Sequence, residues 1–525
     1  MRFRSFIKWA LRPSSLMRFR IWIEITIWKH QLKKMSRYVP QSQENAGTRK
    51  SFLISSTIGG NLSTLALDLV LAKALELRGH SVRFVLCAGG FDACMYAELN
   101  KYRNHSDFIE NGSRPLCKKC VKSGFALVQA SKLESMTLRP EQSDRQLREY
   151  ELEVVEAGAK RFLGIGRVDN SAVYEAVVKR FQSAGAQFAK SIDDLLSSQH
   201  FDVVIAHHGI YVPQGLFQTS SNVAKVRFVS WMQGYRRGTY IFSWNDTYHR
   251  ELLKPFPLTS PLTPEQKSEI ESYLESRDSG SNDWIRFGVT TKSRSQALDF
   301  DRSKPSAVLL TNVSWDAQLH YESRVFSDMH EWILHTIKWF IEHSSCNLII
   351  RIHPAEETGR IKSKDKVEEF IMKNFSSLPE NIIIVKPLDK ISTYAIIEES
   401  DLAIIYGTKT GLEIAAMGKP LLIAGEAWSR NKGVGIEPSS KDEYFKTLND
   451  FEVDHNSLYR NQTRGLELAY YFFFRKLIQI QSIRPITFYP YARPRMSSDW
   501  FRTDVGLKSV ITSLEDEIEF EFTTK

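Results

Sequence analysis

No run of residues in this sequence is both long and apolar enough to cross a bilayer. The longest apolar stretch near the N-terminus, IWIEITIW, is far short of a membrane span and carries Glu24. A secretory leader is not expected either, because no uninterrupted apolar run leads to a small-residue cleavage site. Cysteine is scarce, at five residues in 525, too few to staple a chain of this size, and a chain expected to remain in the cytosol keeps its thiols reduced. Low-complexity linkers are missing too. Acid is almost absent from residues 1–35, which hold nine Lys or Arg against Glu24 alone.

What is present is an ordinary globular composition, 42% apolar and 25% charged, with enough length for two large domains. Of the net charge of +9, residues 1–35 supply +8, so the rest is nearly neutral and offers no basic face to nucleic acid. The basic arm carries Phe3, Phe6, Ile7, Trp9, Phe19, Trp22 and Trp28. Cations with interfacial aromatics suit an anionic membrane surface, so a cytoplasmic, peripheral location at the inner membrane is expected. Docking of the arm on its own protein or on another subunit is the competing reading. Pro13 interrupts any single helix, and FRIWIEITIW fits a strand as well.

After the polar tether QSQENAGTRK, strands and helices alternate. SFLISS, a glycine turn at Gly59 and Gly60, the helix LSTLALDLVLAKALELRGH and SVRFVLC make a strand-helix-strand unit. A second alternating series runs from SAVLLTN through NLIIRIHP, NIIIVK, DLAIIYG and PLLIAG. The expected fold is α/β, with two Rossmann-like domains facing across a cleft. The arm and tether take residues 1–48. The N-terminal acceptor domain takes 49–300, with a Cys-rich insertion at 87–120. The C-terminal nucleotide-sugar donor domain takes 301–450, and a helical crossover and tail 451–525.

Ligands of open parallel sheets bind beyond the carboxyl ends of the strands. After NLII come Arg351, His353 and Pro354, with Glu356 and Glu357 opening a loop or short helix that faces an anion. After DLAII comes the loop Tyr406, Gly407, Thr408, Lys409, Thr410 and Gly411, which offers backbone N–H groups, two hydroxyls and a cation to phosphates. Glu413 in the next helix turn suits either ribose hydroxyls or the helix dipole.

From LLTNVSWDAQLHY through RIHPAE, STY and YGTKTGLEIAAMGKPLLIAGEAW to RNKG, the sequence resembles the bacterial capsular polysaccharide synthesis family, which includes Kdo transferases. HHGIYVPQG and FSWNDTYH resemble N-terminal segments of its relatives. The resemblance implies a two-domain GT-B glycosyltransferase fold, a CMP-activated donor sugar and no catalytic metal. It also implies that His353 contacts the donor phosphate and that Thr408, Lys409 and Thr410 hold the nucleotide.

The expected function is transfer of a Kdo- or sialic-acid-type sugar to a glycan or glycolipid acceptor. A CDP-activated polyol-phosphate transferase and a non-catalytic export partner of the same fold remain alternatives. A base for the acceptor hydroxyl is expected from Asp246, His208 or His249, with His207 beside them. Arg236 and Arg237 are candidates for an acidic acceptor. Cys87, Cys94, Cys117 and Cys120 lie within 34 residues, and the spacing of the last two is that of a chelate, pointing to a structural zinc or an iron-sulfur cluster.

Overall fold

The computed structural model describes residues 13–35, 49–168, 171–257, 261–285, 298–486, 492–497 and 499–522. Two sheets organise the chain. In the first, β1 (Ser51–Ser55), β2 (Ser81–Cys87), β3 (Ser135–Leu138), β4 (Val203–His207) and β5 (Arg227–Gln233) are parallel, in the order 3-2-1-4-5. The strand β6 (Thr239–Trp244) runs back antiparallel to β5. In the second sheet, β7 (Ser306–Leu310), β8 (Asn347–Arg351), β9 (Ile382–Val385), β10 (Leu402–Ile405) and β11 (Leu421–Ile423) are all parallel. Its order, β11-β10-β7-β8-β9, repeats the topology of the first. Strand direction of connection reverses between β1 and β4 and again between β7 and β10, and these two points are where such sheets open crevices.

Their apolar runs bury both faces, as covered parallel strands do: every residue of β4, β7, β8, β10 and β11 is buried. Each sheet ties its first strand with an acid that precedes its fourth. Asp202 Oδ2 accepts the Ser51 N–H at 2.7 Å, and Asp401 Oδ2 accepts the Ser306 N–H at 2.9 Å. These carboxylates fix where the first strand of each sheet begins.

The chain then returns. Helix Gln462–Tyr470 packs on helix Thr410–Ala416 so closely that a Cβ on Gly465 would meet the Ala415 carbonyl carbon at 2.3 Å. A π-turn at Tyr471–Lys476 leads into β12 (Ile478–Gln479), which pairs with β6. Helix Val505–Asp516 rests on Leu62–Leu77, and Glu515 bridges Arg78 at 2.7 Å. The tail, which follows the second domain in the chain, thus completes the first.

The described part of the basic arm is one helix, Pro13–Met35, with Pro13 at its start where a missing N–H costs nothing. This corrects the strand reading of FRIWIEITIW, while the residues on the other side of Pro13 lie outside the described ones. Trp28, Leu32 and Met35 are buried in the core of the first domain, whereas Lys29, His30, Lys33 and Lys34 are exposed. Trp28 therefore anchors the helix to its own domain rather than facing lipid. Phe3, Phe6, Ile7 and Trp9, and the tether residues 36–48, lie outside the described residues. No helix among the described residues is long and apolar enough to cross a membrane.

Candidate functional site

The crevice of the second sheet is built from three turns. The turns after β8 and β10 are not direct neighbours, since β7 separates their strands. The turn after β7 joins them instead. Thr311 Oγ1 accepts the His353 N–H at 2.9 Å, and the adjacent Asn312 Oδ1 accepts the Gly407 N–H at 3.3 Å. Two consecutive side chains therefore lock the His-Pro turn and the Thr/Gly loop into one frame.

His353 is half-buried, and desolvation with the nearby Arg351 and Lys409 cations holds its ring at about 4, neutral at physiological pH. Its Nδ1 accepts the Ala355 N–H at 3.1 Å, so the ring proton sits on Nε2, a donor for a phosphate oxygen. The same bond uses up the first amide of the short helix Ala355–Thr358. The helix end beyond Pro354 therefore does not offer that amide to an anion. Glu357 pairs with Lys366 at 2.5 Å and Glu356 is buried, so neither opens toward a ligand.

In the loop after β10, Thr408 Oγ1 accepts the Thr410 N–H at 3.3 Å and its hydroxyl donates to Thr410 Oγ1 at 3.2 Å. That arrangement leaves the Thr410 hydroxyl proton to serve as a donor. Gly411 is required by packing, since a Cβ there would meet Ser429 Oγ at 2.5 Å. Three sequence expectations change here. Tyr406 is buried in the core of the second domain with its hydroxyl on the Phe326 carbonyl at 3.2 Å, so its side chain cannot hold a donor. Arg351 spends its guanidinium on Thr393 Oγ1 and the Lys386 carbonyl and braces the loop after β9. Lys409 turns inward to Glu413, with Nζ on Oε1 at 2.5 Å and 4.6 Å above the Tyr235 ring.

Glu413 is engaged on both oxygens, by Lys409 and Arg277 on one and by the Tyr394 hydroxyl at 2.7 Å on the other. Ribose is therefore not its partner. Arg277 also reaches Asp283 at 2.5 Å, and Tyr273 donates to Asp283 at 2.8 Å. Two cations and two carboxylates thus close a neutral, buried network. Burial and Arg277 hold the Lys409 ammonium down at about 8, while Arg277 and Lys409 hold Glu413 below the usual carboxylate range against its burial. Arg277 comes from helix Pro264–Ser279, so the network fastens the loop after β10 to the connection between the domains.

Facing this frame, β4 ends in His207 and leads to His208, whose φ of +69° is unusual for a residue with a side chain. The turn sets the His208 ring 5.5 Å from His249, 5.2 Å from Tyr211 and 6.1 Å from Tyr248, between ring centroids. Across the crevice, the second domain presents His320, Tyr321 and Trp428. His249 lies 6.5 Å from Tyr321 and 6.3 Å from Trp428, and Tyr211 lies 6.2 Å from His320. Trp428 in turn lies 6.4 Å from Tyr235, the ring beneath Lys409. A file of aromatic rings therefore links the histidine cluster to the loop after β10.

Asp246 belongs to the scaffold rather than to this cluster. It accepts from Arg250 at 2.7 Å, from Gln218 at 3.0 Å and from the Thr247 N–H at 2.6 Å, which leaves it poorly placed as a base. His208 and His249 are neutral, burial holding both well below their ordinary value. His249 has no hydrogen-bond partner on either ring nitrogen. Arg236 is consumed internally, donating to the Phe473 carbonyl at 3.0 Å under the Phe474 ring, while Arg237 is exposed.

Cys87, Cys94, Cys117 and Cys120 lie near one another in the first domain. Cys117 and Cys120 sit in helix Arg114–Ser131 within the crossover from β2 to β3, so this segment is part of the sheet's own wiring and not an insertion. Cys87, Cys117 and Cys120 each take a separate backbone N–H, from Gly89, Gly90 and Gly60. Burial pushes the thiols of Cys87, Cys94 and Cys120 up, toward the protonated form. Among the described residues no three His, Cys, Asp or Glu are placed to hold a metal ion.

No curated protein matches the chain. Among solved structures, the β-Kdo 2,4-transferase of Thermosulfurimonas dismutans is similar at 12% identity, over 52% of this chain and 80% of its own, with a TM-score of 0.34. The β-Kdo 2,7-transferase of the same organism is 13% identical over 62% of this chain and 89% of its own, with a TM-score of 0.32. A putative UDP-N-acetylglucosamine 2-epimerase of Listeria monocytogenes is 11% identical over 91% and 100%, with a TM-score of 0.29. Residues 286–459 match the family described as capsule polysaccharide biosynthesis protein, and both turns that Thr311 and Asn312 hold together lie inside that match.

Proposed function

We propose that this protein is a glycosyltransferase of capsular or surface polysaccharide assembly, with its activated sugar held in the crevice of the second sheet. One observation carries the reading: the Thr311–His353 and Asn312–Gly407 bonds bring two polar turns together at the switch point, opposite a histidine cluster of the first domain. A CMP-activated Kdo- or sialic-acid-type sugar is the donor, as the resemblance of the sequence implies. His353 Nε2–H and the Thr410 hydroxyl address its phosphate, and fixed donors of this kind stabilise charge that grows on the leaving group.

In the reaction an acceptor hydroxyl oxygen bonds to the anomeric carbon as the bond from that carbon to the phosphate oxygen breaks. Cytidine monophosphate leaves, and the hydroxyl proton passes to a neutral imidazole of the first domain, His249 or His208. The acceptor is a glycan or glycolipid at the inner membrane surface, reached by the cationic face of the N-terminal helix at Lys29, Lys33 and Lys34. The test is release of cytidine monophosphate from CMP-activated sugars by the full chain. Release that His353→Ala abolishes supports the reading. Release only from a CDP-activated polyol phosphate, or activity untouched by His353→Ala, defeats it.

A further inference from the structure

Near-neutrality beyond residue 35 is an average, and helix Arg114–Ser131 departs from it. From Gly112 to Leu133 the chain holds Arg114, Lys118, Lys119, Lys122 and Lys132 and neither Asp nor Glu. Within the helix, Arg114, Lys118, Lys122, Phe125 and Gln129 recur at spacings of three and four, which sets them on one face with Lys119 beside them. All six are exposed, Phe125 at 38%, while Ser123, Gly124, Leu127, Val128 and Ser131 bury the opposite side. This placement corrects the expectation that residues beyond the arm offer no basic face.

Little nearby neutralises these charges. Asp92 reaches Arg114 at 3.5 Å but lies closer to Arg180, at 3.2 Å. Asp107 pairs with Arg103 and Glu134 with Arg83, which leaves exposed Glu110 as the single unpaired acid flanking the helix among the described residues. No carboxylate among the described residues pairs with Lys118, Lys119 or Lys122. Helix Pro13–Met35 packs against this helix, and its Trp28 and Leu32 share a core with Leu127 and Val128. Helices in contact lie about 8–10 Å apart, about one Debye length at physiological salt, so the field of exposed Lys29, Lys33 and Lys34 adds to that of the second helix.

The basic helix also borders the crevice of the first sheet. Cys117 Sγ accepts the Gly90 N–H at 3.4 Å and Cys120 Sγ accepts the Gly60 N–H at 3.1 Å. Lys118 and Lys119 therefore stand between contacts to the turns that follow β2 and β1, at the carboxyl edge where such a sheet opens. We infer that helices Pro13–Met35 and Arg114–Ser131 together form one docking surface for an anionic bilayer, with Phe125 entering the headgroup region among the cations. An exposed aromatic ring within a lysine face fits a lipid surface, whereas a nucleic-acid backbone would engage the cations and leave the ring in water. Docking by this face brings the carboxyl edge of the first sheet to the membrane, where a lipid-borne acceptor meets it. Its purpose in the reaction rests on the transferase reading; the docking rests on the two helix faces alone.

The experiment is co-sedimentation of the full chain with vesicles of equimolar phosphatidylserine and phosphatidylcholine, and with phosphatidylcholine alone. At low salt the parent should bind the first far better than the second. Lys118→Gln, Lys119→Gln and Lys122→Gln together should weaken binding about a hundredfold, each cation near an anionic surface adding about fivefold. Phe125→Ser should lower the binding that survives high salt, where charges are screened and the apolar contact remains. Urea midpoints matching the parent are expected, as exposed positions allow. Equal vesicle binding by the triple variant and the parent overturns the inference and leaves the N-terminal helix as the membrane contact. A parent that binds phosphatidylserine no better than phosphatidylcholine overturns both. Loss of duplex-DNA binding in the triple variant with vesicle binding unchanged assigns the face to nucleic acid and also overturns it. Release of cytidine monophosphate from a CMP-activated sugar is measured without vesicles. Its absence in a parent that docks as expected defeats the transferase reading and leaves the docking surface standing.

Discussion

Lys409 Nζ lies 2.5 Å from Glu413 Oε1, one helical turn further along the chain, and both side chains are almost fully enclosed. The only lysine of the loop after β10 thus neutralises a carboxylate of its own domain, and Arg277 adds a second cation to the same oxygen. The network shapes the loop and ties it to the interdomain connection. Under the transferase reading proposed above, contact with a phosphate is assigned to His353 and Thr410 instead.

Glu413→Gln should therefore act on stability. The amide keeps the shape but leaves the Lys409 ammonium without its carboxylate and Arg277 with Asp283 alone, and breaking a buried pair in this way costs about 3–5 kcal/mol. Urea unfolding checks it. A loss below about 1 kcal/mol, within the range of an exposed ion pair, would show that the network is solvated.

Thr311→Val should weaken the donor site without dismantling it. The isosteric change removes the buried Thr311 hydroxyl that accepts the His353 N–H, and an amide left without its partner costs about 1–3 kcal/mol where water does not replace it. If that cost falls on the bound geometry of the His-Pro turn, the donor KM rises about tenfold, since about 1.4 kcal/mol is tenfold in affinity. Thr311→Ser, which keeps the oxygen, should retain the parent KM. Initial rates over a donor series measure both.

The architecture was largely legible in the sequence, because parallel strands buried on both faces appear as uninterrupted apolar runs: SFLIS, VVIAH, SAVLL, NLIIR and LAII are all strands. The polar residues after NLII and LAII were legible by the same logic. Thr311 and Asn312, which follow SAVLL, carry the same signal, yet their part lies in bonds to turns some 40 and 95 residues away, which no local pattern shows. Asp246 and Lys409 have the residue types of catalysis and binding. Their pairing with Arg250 and Glu413 is a matter of rotamer and tertiary neighbours. The Cys117–Cys120 spacing that suits a chelate in a loop instead marks one helical turn.

Acid should destabilise the folded chain more steeply than its carboxylates alone explain. Burial holds His207 and His320 at about 3 and His353 at about 4, and holds His208 and His249 well below the ordinary 6.5. Below pH 6.5 the unfolded chain binds protons that the folded chain refuses, so stability present above that pH is lost as pH falls toward the folded values. Each such histidine contributes a loss of about 1–2 kcal/mol between pH 6.5 and 5. Urea midpoints at pH 8, 6.5 and 5 follow the effect. A midpoint unchanged from 6.5 to 5 would mean that the rings are already protonated or solvated.

The N-terminal helix separates two roles that its sequence runs together. Trp28 is 1% exposed in the core of the first domain, so Trp28→Ala should cost about 3–5 kcal/mol, as truncation of a buried tryptophan does. Lys29, Lys33 and Lys34 stand on the exposed side, where replacement by Gln should change stability by no more than about 0.5 kcal/mol. If this cationic face meets an anionic bilayer, each lysine adds about 1 kcal/mol of attraction, and the triple Gln variant should bind phosphatidylserine vesicles roughly a hundredfold more weakly than the parent. Sedimentation with vesicles in low and high salt measures it. Because the effect is electrostatic, salt should abolish the difference between parent and variant. Equal sedimentation of the two at low salt would assign this helix to the fold alone and remove the membrane from the list of partners.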